Sequence, residues 1–293
     1  MKLDFHTHGK LAKRLPFSTE YTDWLFEEAK RAGLDALCLT EHFNTLQFEE
    51  VYGYLIEKSR REGDTLVLEN GLRIFPGMET DIAEGGHILS LGSAETILEL
   101  NQRLAPHKIP GKFLPFKELM DLFREYDVYV GAAHPFREGG HIPELPEDQL
   151  ARLDFIDLNG KDVAEDLEGT KIRTYEMGNK ITKPVIGGSH THQALQYGCI
   201  YTHFDEEVVT FQELYRKMIT GAYYIVISPM ASFQVRTAGI LKRALKEIHA
   251  LGGDYVSVLT GNGASRFTLM PGQAGLEGGD FGSKSSNLSL LTQ

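Results

Sequence analysis

The sequence predicts an α/β fold on a mostly parallel sheet, either a barrel or an open doubly wound sheet, and three observations carry that prediction. Short runs rich in apolar and β-branched residues alternate with longer segments whose apolar residues recur every three or four positions. Seven of the strand-like runs fall within residues 3–190. No GxGxxG fingerprint follows the first of them, which lowers the dinucleotide-binding version of the open sheet.

In chain order, LDFHTH (3–8) reads as the opening strand and YTDWLFEEAKRAG (21–33) as an amphipathic helix leading to the strand ALCLTEH (36–42). The segment 48–63 continues as a helix, RIFPGMET (73–80) and HILSLG (87–92) as strands, and FKELMDLFREYD (116–127) as a helix before the strand VYVGAAHP (128–135). FIDLNG (155–160), the helical segment 165–180 and PVIGGSH (184–190) complete the set. Beyond it, 206–221 reads as a helix, AYYIVIS (222–228) as a strand, 235–251 as an amphipathic helix and DYVSVLT (254–260) as a final strand. The expected organisation is a barrel over 1–230, a helix and strand extension over 231–260, and a loose Gly/Ser-rich tail over 261–293, whose composition buries too little to offset its ordering entropy.

With 293 residues, 42% hydrophobic and 24% charged, the chain can bury one large core. Its formal charge of −11 opposes a nucleic-acid or anionic-membrane partner, so an anionic substrate needs a local positive site. Cys38 and Cys199 give no disulfide framework, no run approaches a membrane span, and the first residues lack the apolar core of a signal peptide. A cytoplasmic protein, mature as written, is the expectation.

Histidine placement points to the chemistry. Of the 11 histidines, His6, His8, His42, His87, His134, His190 and His192 lie at or beside the ends of the strand-like runs. Residues two apart on a strand share a face, so His6 with His8, and His190 with His192, present paired imidazoles. One such histidine is ordinarily a satisfied core residue, whereas seven where parallel strands end point to a metal site. Glu79 closes its run, and a carboxylate can bridge two ions through its two oxygens. Glu41 suits either orienting a ligand or ligation, Asp4 has the parity of a supporting partner, and Asp157 reads as structural or solvent-facing. His107, His141, His203 and His249 read as structural or solvated.

The motifs HTH (6–8), TEH (40–42), PGMET (76–80), GHILSLG (86–92), AHP (133–135) and GSHTH (188–192) stand in the order and spacing of the PHP (polymerase and histidinol phosphatase) family, which the chain resembles over residues 1–230. The resemblance implies a distorted seven-stranded TIM-like (β/α)7 barrel, here with a C-terminal helical extension, and two or three divalent ions, zinc, manganese or iron, at the strand C-termini. It implies one ion held by His6, His8, Glu79 and His190, a second by Glu79, His87 and His134, and a third by His42, His192 and a residue just past the first HxH. At that last position the chain carries Lys13 and Arg14, with Glu20 the nearest acid. Two further departures are Glu41 and His190, each where the family usually has Asp; an imidazole at 190 favours nitrogen-preferring ions such as zinc.

The resemblance further implies a metal-dependent phosphoesterase, histidinol-phosphatase-like, in which a metal-bridging hydroxide hydrolyses a small phosphate ester. Arg137 is the first candidate for the phosphate, with Lys161, Lys13 and Arg14 beside it; His192 or a metal-bound water is the candidate acid for the leaving group. The expected partner is a small phosphorylated substrate, with no stable nucleic-acid complex and no membrane. An amidohydrolase-type metal hydrolase and a PHP domain that binds metal without turnover are the alternatives.

Overall fold

The structure, a computed structural model, describes residues 1–261. In chain order it comprises β1 (Lys2–Thr7), α1 (Thr19–Arg31), β2 (Ala36–His42), α2 (Phe48–Lys58), β3 (Arg60–Glu62), β4 (Thr65–Val67), β5 (Arg73–Asp81), β6 (His87–Leu91), α3 (Ala94–Arg103), α4 (Phe116–Phe123), β7 (Tyr129–Ala133), α5 (Glu147–Leu150), β8 (Phe155–Asn159), α6 (Gly160–Glu165) and α7 (Leu167–Ile181). There follow β9 (Val185–Gly188), β10 (Ile200–His203), α8 (Phe211–Ile219), β11 (Tyr224–Ile227), α9 (Ala231–Ala250) and α10 (Tyr255–Thr260). The tail expected to be loose lies, but for Gly261, outside the described residues.

The seven predicted runs are seven neighbours in one sheet, β1-β2-β5-β6-β7-β8-β9, and β10 and β11 extend it beyond β1. The sheet curls until β9 returns to β1: the N–H of His190 donates to the His6 carbonyl at 2.6 Å and that of His8 to the Thr191 carbonyl at 2.9 Å. A TIM-like barrel results, with helices outside. Its distortion lies at β6, which runs antiparallel to both β5 and β7 because a tight turn through Gly85 and Gly86, both at positive φ, replaces a helical crossover.

Three local expectations change. Residues 254–260 form α10 and not a strand: the Asp254 side chain caps the N–H groups of Val256 and Ser257, and Tyr255 packs on Tyr21. The end of the 48–63 segment turns into the β3–β4 hairpin, with Gly63 at φ 59 in its turn. The helix α3, capped by Ser93 on the N–H of Thr96, was not expected.

Inside the barrel, Leu3, Phe5, Cys38, Phe75, Leu89, Phe155 and Ile186 form an apolar floor. Period-two continuation from that floor places Glu79 and Asp81 on the face of Phe75, His42 on that of Cys38, His87 on that of Leu89, and Asp157 and Asn159 on that of Phe155. On β1 the simple alternation fails. Phe5 and His6 are adjacent, yet Phe5 meets Phe155 and His6 meets Asp157, because the β1–β2 register shifts between Asp4 and Thr7.

Candidate metal centre

All eight ligand candidates converge at the end of the barrel where the parallel strands have their C-termini, His87 from the N-terminus of the antiparallel β6, in three overlapping groups: His6, His8, Glu79 and His190; Glu79, His87 and His134; and His8, His42, His190 and His192. Within each group one ligand atom per residue lies within 4.8 Å of the others. The first two groups have the membership expected. The third departs from expectation, drawing its extra members from His8 and His190 and none from the loop after the first HxH. In that loop Lys13 is 3.4 Å from Asp81, Arg14 is exposed, and Glu20 accepts from Ser18 at the start of α1.

Glu79 is at the centre, fully buried. Its Oε2 lies 3.5 Å from Nε2 of both His6 and His8 and 2.9 Å from His42 Nδ1. Its Oε1 lies 2.6 Å from His87 Nδ1 and 3.0 Å from His134 Nε2. Each oxygen therefore serves a different set of imidazoles.

The donor set fits divalent cations. His6 Nε2, both ring nitrogens of His8, His42 Nδ1 and Glu79 Oε2 are buried with no hydrogen-bond partner, a costly arrangement for side chains whose only work is packing. Burial holds His8, His134, His190 and His192 well below the ordinary histidine range and His42 down to about 3, which leaves these rings in the neutral form that ligates metal. Burial also opposes charge on His6 and His87, but Glu79 together with Asp157 or Asp81 outweighs it and raises both to about 9. Those two rings balance the Glu79 carboxylate, whose own burial is overridden by the histidines around it and which is held well below the usual range.

Several supports come from residues the sequence placed wrongly or passed over. Asp157 is buried and not solvent-facing: its Oδ2 accepts from His6 Nδ1 at 2.8 Å, which points His6 Nε2 inward, where a divalent ion would take the place of its proton. Asn159 Nδ2 donates to the same oxygen at 2.8 Å, and Arg137 donates through Nη2 to Asn159 Oδ1 at 2.8 Å and through Nε to Asp162 Oδ1 at 2.9 Å. Arg137 is thus tied to the scaffold on one edge, with Nη1 3.4 Å from His190 Nδ1. Asp81, 3.0 Å from His87 Nε2, was legible from its parity with Glu79. His192 Nδ1 meets the Lys10 carbonyl at 3.0 Å, so its Nε2 faces the cluster.

Glu41 lies behind the cluster, accepting from the N–H of Gly9 and of His42 at 3.1 Å each, with His8 Nδ1 3.7 Å away. Asp4 accepts the N–H of Ser189 at 2.8 Å and of His6 at 3.2 Å, so it fixes backbone where β1 meets β9. His134 and His190 adopt positive φ, 31° and 61°, strained values for residues with a Cβ. His107, His141, His203 and His249 stand outside all three groups. Cys38 and Cys199 are buried and free. No helix among the described residues is long and apolar enough to cross a membrane.

No family model and no curated protein matches the chain. Among solved structures it is similar to PsfC from Pseudomonas syringae PB-5123, with a TM-score of 0.68 and 21% identity over 83% of this chain and 98% of that one. It is similar also to the lesion-specific endonuclease PfuEndoQ from Pyrococcus furiosus, with a TM-score of 0.57 and 19% identity over 76% of this chain and 57% of that one. An Endonuclease Q complex with a 27-mer duplex substrate, carrying an abasic lesion at the active site, gives a TM-score of 0.57 and 20% identity over 77% of this chain and 58% of that one. The chain thus spans nearly all of the first protein and little more than half of Endonuclease Q.

That complex overturns the expectation of a small phosphorylated substrate and no nucleic-acid complex, since a protein sharing this fold takes a DNA duplex at its active site. The expectation rested on a summed charge of −11, and a sum says nothing of the field at a rim that gathers Arg137 and Lys161 beside histidines. The likeness is one of fold: this chain shares the barrel of PsfC and of Endonuclease Q.

Proposed function

We propose that the chain is a metal-dependent hydrolase of phosphate esters. The observation that carries the reading is the division of Glu79: one oxygen faces His6, His8 and His42, the other faces His87 and His134, as a carboxylate shared by two cations requires. The first group, His6, His8, Glu79 and His190, would hold one ion and Glu79, His87 and His134 a second, with His42 and His192 completing a third set around His8 and His190. Bound divalent ions supply Lewis acidity toward a phosphoryl oxygen and lower the pKa of water.

The chain's own residues do the rest. Asp157 and the Lys10 carbonyl fix the tautomers of His6 and His192, Arg137 presents a guanidinium edge at His190, and the apolar floor excludes water from below. Engagement of His192 within a ligand group favours its reading as a ligand over that of a free acid.

The test loads the protein with zinc, manganese or iron and assays p-nitrophenyl phosphate, bis-p-nitrophenyl phosphate and a duplex containing an abasic site. Metal-dependent hydrolysis of at least one, lost together with metal content in Glu79→Gln, is expected. Metal-loaded protein that cleaves none of the three sinks the reading and leaves a barrel that binds metal without turnover.

A further inference from the structure

The strand β8 runs into α6 with no loop between them, and the residue at the junction, Asn159, is 1% exposed. Its backbone is extended, with φ −84° and ψ 133°, while its side chain caps the helix: Oδ1 accepts the N–H of Lys161 at 3.1 Å. The same oxygen accepts from Arg137 Nη2 at 2.8 Å. Two donors on one oxygen decide which way the amide faces, so Nδ2 is turned toward Asp157 and donates to its Oδ2 at 2.8 Å.

That Asp157 oxygen is the one that accepts from His6 Nδ1. Arg137, Asn159, Asp157 and His6 therefore form an unbroken run of three hydrogen bonds, each of 2.8 Å, from the half-buried rim to a ring that would hold an ion. The outer end is anchored as well, since Arg137 Nε donates to Asp162 Oδ1 on α6 at 2.9 Å. Asp157 Oδ1 is buried without a partner, so among the described residues Asn159 is the one side chain besides His6 that holds this carboxylate. An amide suits the place because it donates toward a carboxylate and accepts from two N–H groups at once. A carboxyl there would set two buried acids against each other, and a methyl would leave Asp157, Arg137 and the Lys161 N–H each short of a partner.

We infer that Asn159 is a positioning residue of the metal centre, acting on His6 through Asp157 and held in turn by Arg137. The inference rests on the reading of His6 as a ligand and goes beyond it: the inner edge of Arg137, two residues removed from His6 along the relay, contributes to metal affinity. Asn159 reaches this part from the junction of β8 and α6, outside every strand-end histidine motif.

The test reads zinc affinity of the full chain by competition with a chromophoric chelator, so that it does not depend on turnover. The variants are Asn159→Ala, Asp157→Asn, Arg137→Met and their pairs. Expected are about tenfold weaker binding in Asn159→Ala and about threefold in Arg137→Met. No further loss is expected when Asn159→Ala is added to Asp157→Asn, or Arg137→Met to Asn159→Ala, because the route to His6 is already cut. A residue that only capped α6 would lower the thermal midpoint of the metal-free protein, and its effect on affinity would be nil or would add to that of Asp157→Asn. The visible bands of the cobalt-loaded protein give a second readout, expected to shift in Asn159→Ala as His6 loses its fixed direction. Wild-type zinc affinity in Asn159→Ala, or losses that add in the pairs, overturns the inference. Should Asn159→Ala fail to fold, Arg137→Met in the Asp157→Asn background carries the same test, with no added loss expected and an added loss overturning the relay. A wild type that holds no zinc overturns the inference together with the metal reading. Affinities that follow the expected pattern in a protein that hydrolyses no ester remove the phosphoesterase reading and keep the positioning role.

Discussion

At the scale of single residues, the centre depends on partners that orient its imidazoles. Asp157 contributes no ligand atom to the three groups, yet it fixes which nitrogen of His6 is free, through a buried contact of 2.8 Å. Asp157→Asn keeps the shape and removes the charge, and the amide can present a donor where His6 Nδ1–H needs an acceptor. Metal affinity is expected to fall by about 10- to 100-fold, measured by competition with a chromophoric chelator, with the circular dichroism spectrum unchanged. Unchanged affinity would return Asp157 to a packing role. The sequence hid this residue because a buried carboxylate and an exposed one look alike in FIDLNG; only the approach of β1 across the barrel, more than a hundred positions away, gives Asp157 its partner.

At the scale of elements, the closure between β1 and β9 is the most exacting contact. A Cβ on Gly188 would lie 2.5 Å from His6 Cβ, 2.9 Å from His6 N and 2.8 Å from Asp157 Oδ1, so no flexible side-chain tip can yield to it. Gly188→Ala forces β9 away from β1 and is expected to cost about 1–3 kcal/mol in urea denaturation and to weaken metal binding through His6 and His190. A variant as stable as wild type would show that the two strands can part without loss. Period-two reading held along β2, β5, β6 and β8, which deliver His42, Glu79, His87 and the Asp157–Asn159 pair from continuous parity. It was incomplete on β1, where the register irregularity lets Phe5 join the floor while His6 joins the cluster. The DYVSVLT run failed as a strand because β-branched residues favour a sheet only when an edge is there to receive them, and here Asp254 caps a helical turn that docks on α1.

At the scale of the whole molecule, seven imidazoles and a carboxylate gathered at one end of the barrel, with unpartnered buried atoms on His6, His8, His42 and Glu79, suit the fold to receive cations. A ligand that binds the folded chain alone adds about 2.7 kcal/mol at a hundredfold excess over its dissociation constant. Chelator treatment should therefore lower the thermal midpoint by roughly 5 °C or more, restored by adding back the divalent ion and not by sodium chloride. A midpoint indifferent to chelator would mean that the protein as isolated holds no metal that its fold depends upon.

The sequence by itself determined the barrel's seven strands and the identity of the clustered histidines with Glu79, because strand periodicity and the positions of strand ends are local properties of the chain. Tertiary structure alone decided what surrounds them: that His8 and His190, and not the loop after the first HxH, complete the third group, and that Asp157 turns His6. Those relations join residues far apart in sequence, and chain closure, register shift and helix packing are set by the fold as a whole, with no local pattern to announce them.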